Sequence, residues 1–432
     1  MLAPILRATT RARDDEVAPT LWATAYGFFI MFGYYILRAV RDEISSADRG
    51  NLQVLWTVVF LAMVVAVPLY SWATTRYTRG VFVPLANRFF IANLVAFYAA
   101  LMLLPDAARP WIDRVFYVWA SVFALFVVTV FWGFMADCFT NEQGRRLFGF
   151  IAVGSSLGGI AGSAVTATLA ERAPAFSLLL MACVPLEAAS WCAGVLHRRF
   201  GGGTDRSRTE NQPLAGSAWS GIGLIVRSPY LLGIAGFILL MTYASTVLYF
   251  QQAHVIGEAL TDRAARTALF AKIDFWANVF TILAQVYLAE RAMRMMGVGL
   301  TLAILPAVTC LGFVALGMHP TVTAMVVFQV GYRAFRYGLA KPSREVLFTV
   351  VSREEKYKSK AFIDAAVYRG GDLVNGWIYA GLAYIGLTVG AIALVSAPVA
   401  AAWVVVGLRL GRRQEERARA QVPVAAPAPA VT

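Results

Sequence analysis

Residues 115–136 read VFYVWASVFALFVVTVFWGFMA, twenty-two consecutive positions without a charge. A helix rises about 1.5 Å per residue, so a run of this length reaches across the roughly 30 Å hydrocarbon layer of a bilayer. Comparable apolar runs lie on either side. They occupy 21–40, 54–73, 83–104, 147–169 and 176–196, then 230–250, 269–288, 298–318, 322–339, 361–385 and 388–408. The chain is 59% apolar and only 15% charged, whereas a soluble domain carries about a quarter of its residues as charges. The sequence therefore predicts an all-α polytopic membrane protein with twelve transmembrane helices, for which the lipid bilayer is the solvent.

A polar, Gly-rich stretch, HRRFGGGTDRSRTENQPLAGS, divides the spans six and six. The expected organisation is a cytoplasmic N-terminal segment (1–20), a six-helix bundle (21–197), a cytoplasmic linker (198–228), a second bundle (229–410) and a disordered tail (411–432). Positive residues gather in alternate loops: Arg76 and Arg79, Arg145 and Arg146, Arg198 to Arg208, Arg291 and Arg294, Arg353 to Lys360, and Arg409 to Arg419. This bias puts both termini in the cytoplasm and the protein in the cytoplasmic membrane. It also accounts for the net charge of +13 as topology rather than as a nucleic-acid surface, so no nucleic acid polymer is expected as a partner. The first twenty residues lack the apolar core of a cleavable signal, and the first span is expected to serve as its own signal.

The halves resemble one another. Phe150–Gly159 (FIAVGSSLGG) and Phe362–Gly371 (FIDAAVYRGG) align without gaps and share four of ten positions. Two six-helix halves related by a parallel repeat are the major facilitator architecture, in which substrates bind near the bilayer midplane. In the fifth span Gly154, Gly158 and Gly162 recur every four residues, a small-residue stripe that lets two helix backbones approach closely.

Charges within apolar helices cost about 2.5–3.5 kcal/mol each on insertion scales, so each needs a partner, a wet cavity or a route to the headgroups. Here they fall in two layers. Arg38, Arg41 and Asp42 lie toward the outer end of the first helix, with Lys272 and Asp274 at similar depth in the eighth. Nearer the cytoplasm, Arg333 and Arg336 meet Lys360, Asp364 and Arg369. Lys360, Asp364, Tyr368 and Asp372 are spaced by four and form one polar stripe that can face a central cavity; Asp274, Asn278 and Gln285 form another. One reading makes these residues ion-pair gates, with Asp42, Lys272, Asp274, Asp364 and Asp372 as the gate members. The other makes the surplus cations Arg38, Arg41, Arg333, Arg336, Lys360 and Arg369, with Tyr368, the binding site of an anionic small molecule. The planar guanidinium fork suits phosphate oxygens in particular. Glu187, at mid-span two residues after Pro185, is a candidate proton-coupling residue, and Arg88 is a candidate snorkelling anchor.

No HExxH or Walker loop is present, and the four cysteines lack ligand spacing. The sequence therefore predicts neither an enzyme nor a metal site, and no cofactor. A single pair of bundles is expected to work as a monomer.

Three stretches carry a family resemblance: YYILRAVRDE (34–43), FWGFMADCFTNEQGRRLFGFIAVG (131–154) and RYGLAKPSREVLFTVVSREEKYKSKAFIDAAVYRGG (336–371). They resemble the ATP:ADP translocase-type nucleotide transporters of plastids and intracellular bacteria. The resemblance implies a major facilitator fold, exchange of nucleotides, and phosphate contacts at Arg41, which stands where the family usually has lysine, and at Lys360 within KAFID. It also leads one to expect a carboxylate in the fourth span, which 115–136 lacks. The expected function is thus a secondary active transporter of a nucleotide or similar phosphorylated anion. Two alternatives stand beside it: a proton-coupled carrier of an unrelated solute, with Glu187, Asp274 or Asp372 titrating, and a non-transporting membrane scaffold or sensor on the same fold.

Overall fold

The computed structural model describes residues 12–76, 79–173, 176–200, 220–352, 355, 359–360 and 362–421. Each span expected from the sequence falls on a helix, and no strand occurs among the described residues. The first six are α1 (Asp14–Ala47), α2 (Leu52–Arg76), α3 (Arg79–Leu103), α4 (Arg109–Cys138), α5 (Asn141–Leu169) and α6 (Ser177–Phe200). After a short helix at Ser220–Arg227 come α7 (Pro229–Ala259), α8 (Arg263–Leu283), α9 (Ala289–Met318), α10 (Val322–Phe335), α11 (Tyr368–Tyr384) and α12 (Val389–Gln421).

Nine stretches among the described residues are long and apolar enough to cross a membrane, and one of them, Arg263–Met318, holds α8 and α9 end to end. Within α9 the chain kinks at Gly297, whose φ of 76° lies where an L side chain is strained. α10 and α11 each adjoin a π turn, Arg336–Ala340 after α10 and Ile363–Val367 before α11. A third π turn, Ala284–Leu288, follows α8.

The chain forms two compact units. The first comprises Met1–Ala215 together with Phe250–Val279; the second comprises Gly216–Tyr249 and Phe280–Thr432. The far end of α7 and most of α8 therefore pack with α1 to α6.

Within the first unit the glycine stripe of α5 works as a contact surface. A methyl group added at Gly154, Gly158 or Gly162 would run into the backbone carbonyl of Thr24, Phe28 or Phe32 on α1. The two backbones touch at successive turns, and a small-residue seam of this kind packs helices where lipid offers no hydrophobic driving force. α4 gives way to α5 through Phe139 in extended conformation, and a capping box comes next. There the Thr140 hydroxyl accepts from the Gln143 amide while the Gln143 side chain accepts from the Thr140 amide. The next turn of α5 is tied to α1, because Gln143 and Arg146 both donate to the buried carboxylate of Glu16. In the second unit α9 and α12 meet at Gly299 and Gly411, again with no room for a Cβ, and Trp403 is fully buried against Phe237.

Several expectations need correction. α1 begins at Asp14 rather than at Leu21, and α12 runs on to Gln421, so the tail expected to be disordered from 411 is helical that far. Leu410 and Gln414 are buried, Arg413 donates to the Pro229 carbonyl, and Arg417 stands 4.4 Å from the Tyr230 ring. Composition cannot reveal such partners. The linker expected at 198–228 lies outside the described residues over 201–219. The repeat is also less regular than its sequence. FIAVGSSLGG sits well inside the continuous α5, whereas FIDAAVYRGG contains a π turn. That turn lies between Lys360 and Tyr368, so Lys360 does not share with Tyr368 and Asp372 the single stripe expected of a regular helix.

Overpacking a tight seam costs about 1–3 kcal/mol, so Gly158→Leu is expected to lower the melting temperature of the purified protein. Gly149→Ala, at a position with nothing within 4 Å of an added Cβ, should leave it nearly unchanged.

Candidate functional site

The first unit carries a ladder of ion pairs where α1 meets the segment Phe250–Val279. At its centre Arg38 places Nε 3.5 Å from Asp42 and 3.5 Å from Asp274, and Arg41 grips the other oxygen of Asp42 at 2.6 Å. Tyr35 lies beneath the Arg38 guanidinium, 5.6 Å to the ring centroid, and its hydroxyl donates to Asn278. One residue beyond Asp42 on α1, Glu43 binds Arg266 at 2.6 Å and Arg263 at 3.0 Å, and Arg263 turns its other nitrogens to Asp113 on α4. Arg266 also donates to the carbonyls of Leu260 and Thr261, which ties down the connection between α7 and α8. Asp48 completes the ladder with Arg114 at 2.6 Å. Close packing runs alongside, since Gly257 touches the Ser46 carbonyl with no space for a Cβ.

Burial makes these contacts consequential. Asp42, Glu43 and Asp274 are 4%, 1% and 1% exposed, and an unpaired carboxylate so removed from water would be strongly destabilising. Five arginines, 38, 41, 114, 263 and 266, face five carboxylates, 42, 43, 48, 113 and 274. The ladder balances its own charge. It unites Arg38, Arg41, Asp42 and Asp274, which the sequence sets at one depth, and adds Glu43, Asp48, Asp113, Arg114, Arg263 and Arg266. Those six lie near helix ends, where charge reads as topology; the only sequence signal for them is that Asp42-Glu43 and Arg263-x-x-Arg266 offer matching pairs at the ends of two apolar runs.

Two residues grouped with the intramembrane charges lie elsewhere. Lys272 is exposed and 3.8 Å from the equally exposed Glu171, because its position on α8 faces away from Asp274. Glu187 is half exposed and accepts from Arg88 at 3.0 Å, so Arg88 has a partner in place of a snorkelling route. The fourth helix extends past Ala136 to Cys138 and so includes Asp137, a residue outside the span 115–136.

The second unit is built differently. Arg336 opens the π turn after α10, with Tyr332 and Tyr337 rings 5.9 and 5.6 Å from its guanidinium carbon and Tyr368 close by. Arg344 donates to the Tyr368 hydroxyl at 3.0 Å and stands over that ring. Tyr332 is buried and anchored by its own hydroxyl, which donates to the Met241 carbonyl. Asp372 lies within electrostatic reach of Arg336 and Arg369, but among the described residues no carboxylate comes within ion-pairing distance of either arginine. Arg333 is 6% exposed on the same helix as Tyr332. Lys360 reaches back instead, to Glu345 at 2.6 Å. The side chain of Asp364 lies outside the described residues. Asp274, Asn278 and Gln285 do not share one stripe either, since Gln285 sits in the π turn after α8 and donates to the Tyr337 carbonyl. Arg344 and Glu345 are the residues here that spacing alone did not single out. The extra residue of each π turn decides their neighbours.

No protein-family model matches the chain. It is 23% identical over 479 aligned residues to ADP,ATP carrier protein 2 of Chlamydia pneumoniae, covering 90% of this chain and 88% of the relative. It is 21% identical to ADP,ATP carrier protein 1 of Chlamydia trachomatis, covering 84% and 82%. The chain is a divergent relative of these carriers. Its fold agrees with solved transporters: the nucleoside transporter NupG (TM-score 0.64, 11% identity, 91% of this chain and 98% of that one) and a D-xylose-proton symporter (0.62, 14%, 91% and 96%). The carrier thus has the major facilitator fold, spans the membrane several times, and is a transporter of small molecules rather than an enzyme.

Removing one partner from a buried ion pair costs about 3–5 kcal/mol. Glu43→Ala should therefore release the α7–α8 connection, read as faster hydrogen exchange over Leu260–Arg266, while Glu171→Ala at the exposed Lys272 pair should not.

Proposed function

We propose that this carrier is a secondary active transporter working by alternating access, which moves a nucleotide or similar phosphorylated anion by exchange or symport. The observation that carries this reading is the contrast between the units. Every arginine of the first-unit ladder has a carboxylate, whereas Arg336 is partly buried among tyrosines with none at ion-pairing distance among the described residues. A desolvated cation without a counter-charge is costly, and an incoming anion supplies what is missing. Arg336 and Arg369, with Arg333 and Tyr368 beside them, are the substrate residues in this reading, and Arg344 orients Tyr368.

Arg38 and Arg41 take a second role. Their guanidiniums are held by Asp42 and Asp274, so an anion reaching them competes with those carboxylates and loosens the ladder as it binds. The ladder is then the gate, and substrate charge is what opens it. The names of the Chlamydia relatives support nucleotides as the anion. A monomer in the cytoplasmic membrane, with both termini cytoplasmic and no nucleic acid polymer as partner, completes the proposal.

Uptake of labelled ATP and ADP into proteoliposomes, with and without nucleotide inside, tests it. A hydrogen bond to a charged group is worth about 1.5–3 kcal/mol, so Arg336→Gln should weaken apparent affinity about 10- to 100-fold. Absence of saturable uptake in both conditions, together with unaltered nucleotide binding by the variant, would sink the reading.

A proton-coupled carrier of an unrelated solute is the second reading. Asp372 favours it, being partly buried without an ion-pair partner among the described residues. It requires flux driven by a pH gradient that Asp372→Asn abolishes; flux indifferent to the gradient removes it.

A further inference from the structure

A cavity of about 270 Å³ lies inside the first unit, beside the Arg263 end of the ion-pair ladder. Its walls are apolar: Val40 and Ile44 of α1, Phe97 and Leu101 of α3, Phe116 of α4 and Leu179 of α6. Arg109, Asp113, Asp262 and Arg263 stand at its polar side. Such a lining offers nothing to hold ordered water or a small anion over most of its surface, and it suits a hydrocarbon chain.

The surroundings place it at headgroup depth. Leu101 leads into Leu103 and Leu104, both exposed, where α3 ends. On α4 the exposed Trp111 lies next to the lining residue Ile112, with Arg114 stacked 4.9 Å from its ring. A tryptophan exposed beside an arginine at a helix end is the pattern that settles at the membrane–water interface. Arg109 is half exposed, and its partner Asp106, 3.0 Å away, is 88% exposed. An ion pair that open to solvent contributes little and exchanges readily, so a phosphodiester can take the carboxylate's place.

We propose that this cavity receives one acyl chain of a bilayer phospholipid, with the lipid phosphate on Arg109. The site has a mechanical consequence. Its walls include α1 and Arg263, the two sides that Glu43 joins, so a bound chain braces the joint from within. Lipid occupancy thereby favours the closed ladder, and this holds for any transported solute.

The test uses the full chain in nanodiscs doped with a phosphatidylglycerol that carries a photoreactive diazirine near one acyl terminus, with adducts mapped by mass spectrometry. Adducts are expected on Phe97, Leu101 or Phe116, enriched over the exposed α2 positions Leu61 and Val65. Leu101→Trp, which fills the cavity, should abolish the enrichment. Arg109→Gln, a surface change that leaves the lining intact, should reduce it, which keeps the test decisive if the tryptophan variant folds poorly. Labelling of the cavity residues no stronger than at Leu61 and Val65 would mean ordinary surrounding lipid only, and the proposal falls. So too does enrichment that persists in both variants.

Discussion

A carboxylate removed from water must be met by a cation, and the contact of Glu43 with Arg263 and Arg266 is where this carrier depends on that rule most. Glu43 is all but inaccessible, yet it sits on α1 while both its partners come from a segment more than two hundred residues later in the chain. Once the helices pack, the charge has no route to solvent. The ion pair and the packing of Phe250–Val279 against α1 therefore stand or fall together, and the touching backbones at Gly257 and Ser46 set how close they stand.

The two units treat charge in opposite ways. The first pairs the five arginines of its ladder with five carboxylates and packs α5 on α1 along a glycine seam. The second, among its described residues, leaves Arg336 and Arg369 short of carboxylates, surrounds Arg336 with phenol rings, and breaks its helices with three π turns. A π turn inserts a residue into the ladder of backbone hydrogen bonds and re-aims the side chains beyond it, and such turns recur at functional sites. Here two of them flank the arginine cluster.

Relatives at 21–23% identity and neighbours in the major facilitator fold agree on transport and differ in what they carry. Shape in this fold is general, and the solute is set by few side chains.

Apolar run length by itself determined the helices, because backbone groups in hydrocarbon must be satisfied within the segment and about twenty residues are needed to cross. The spacing of Gly154, Gly158 and Gly162 likewise announced a close helix contact, since period four on a helix is one face. Arg38, Asp42 and Asp274 were legible as a group because equal depth in two helices can be counted from the sequence. Only the tertiary structure decided the rest. Lys272 and Glu187 found partners on other faces, which depth cannot foretell; Glu43, Asp113, Arg263 and Arg266 lie at helix ends, where a charge shows its burial only when a second helix covers it. The π turns moved Lys360 away from Tyr368 toward Glu345 and brought Arg344 to the tyrosine, because one inserted residue shifts a helix face by about a hundred degrees and leaves no mark in the apolar pattern.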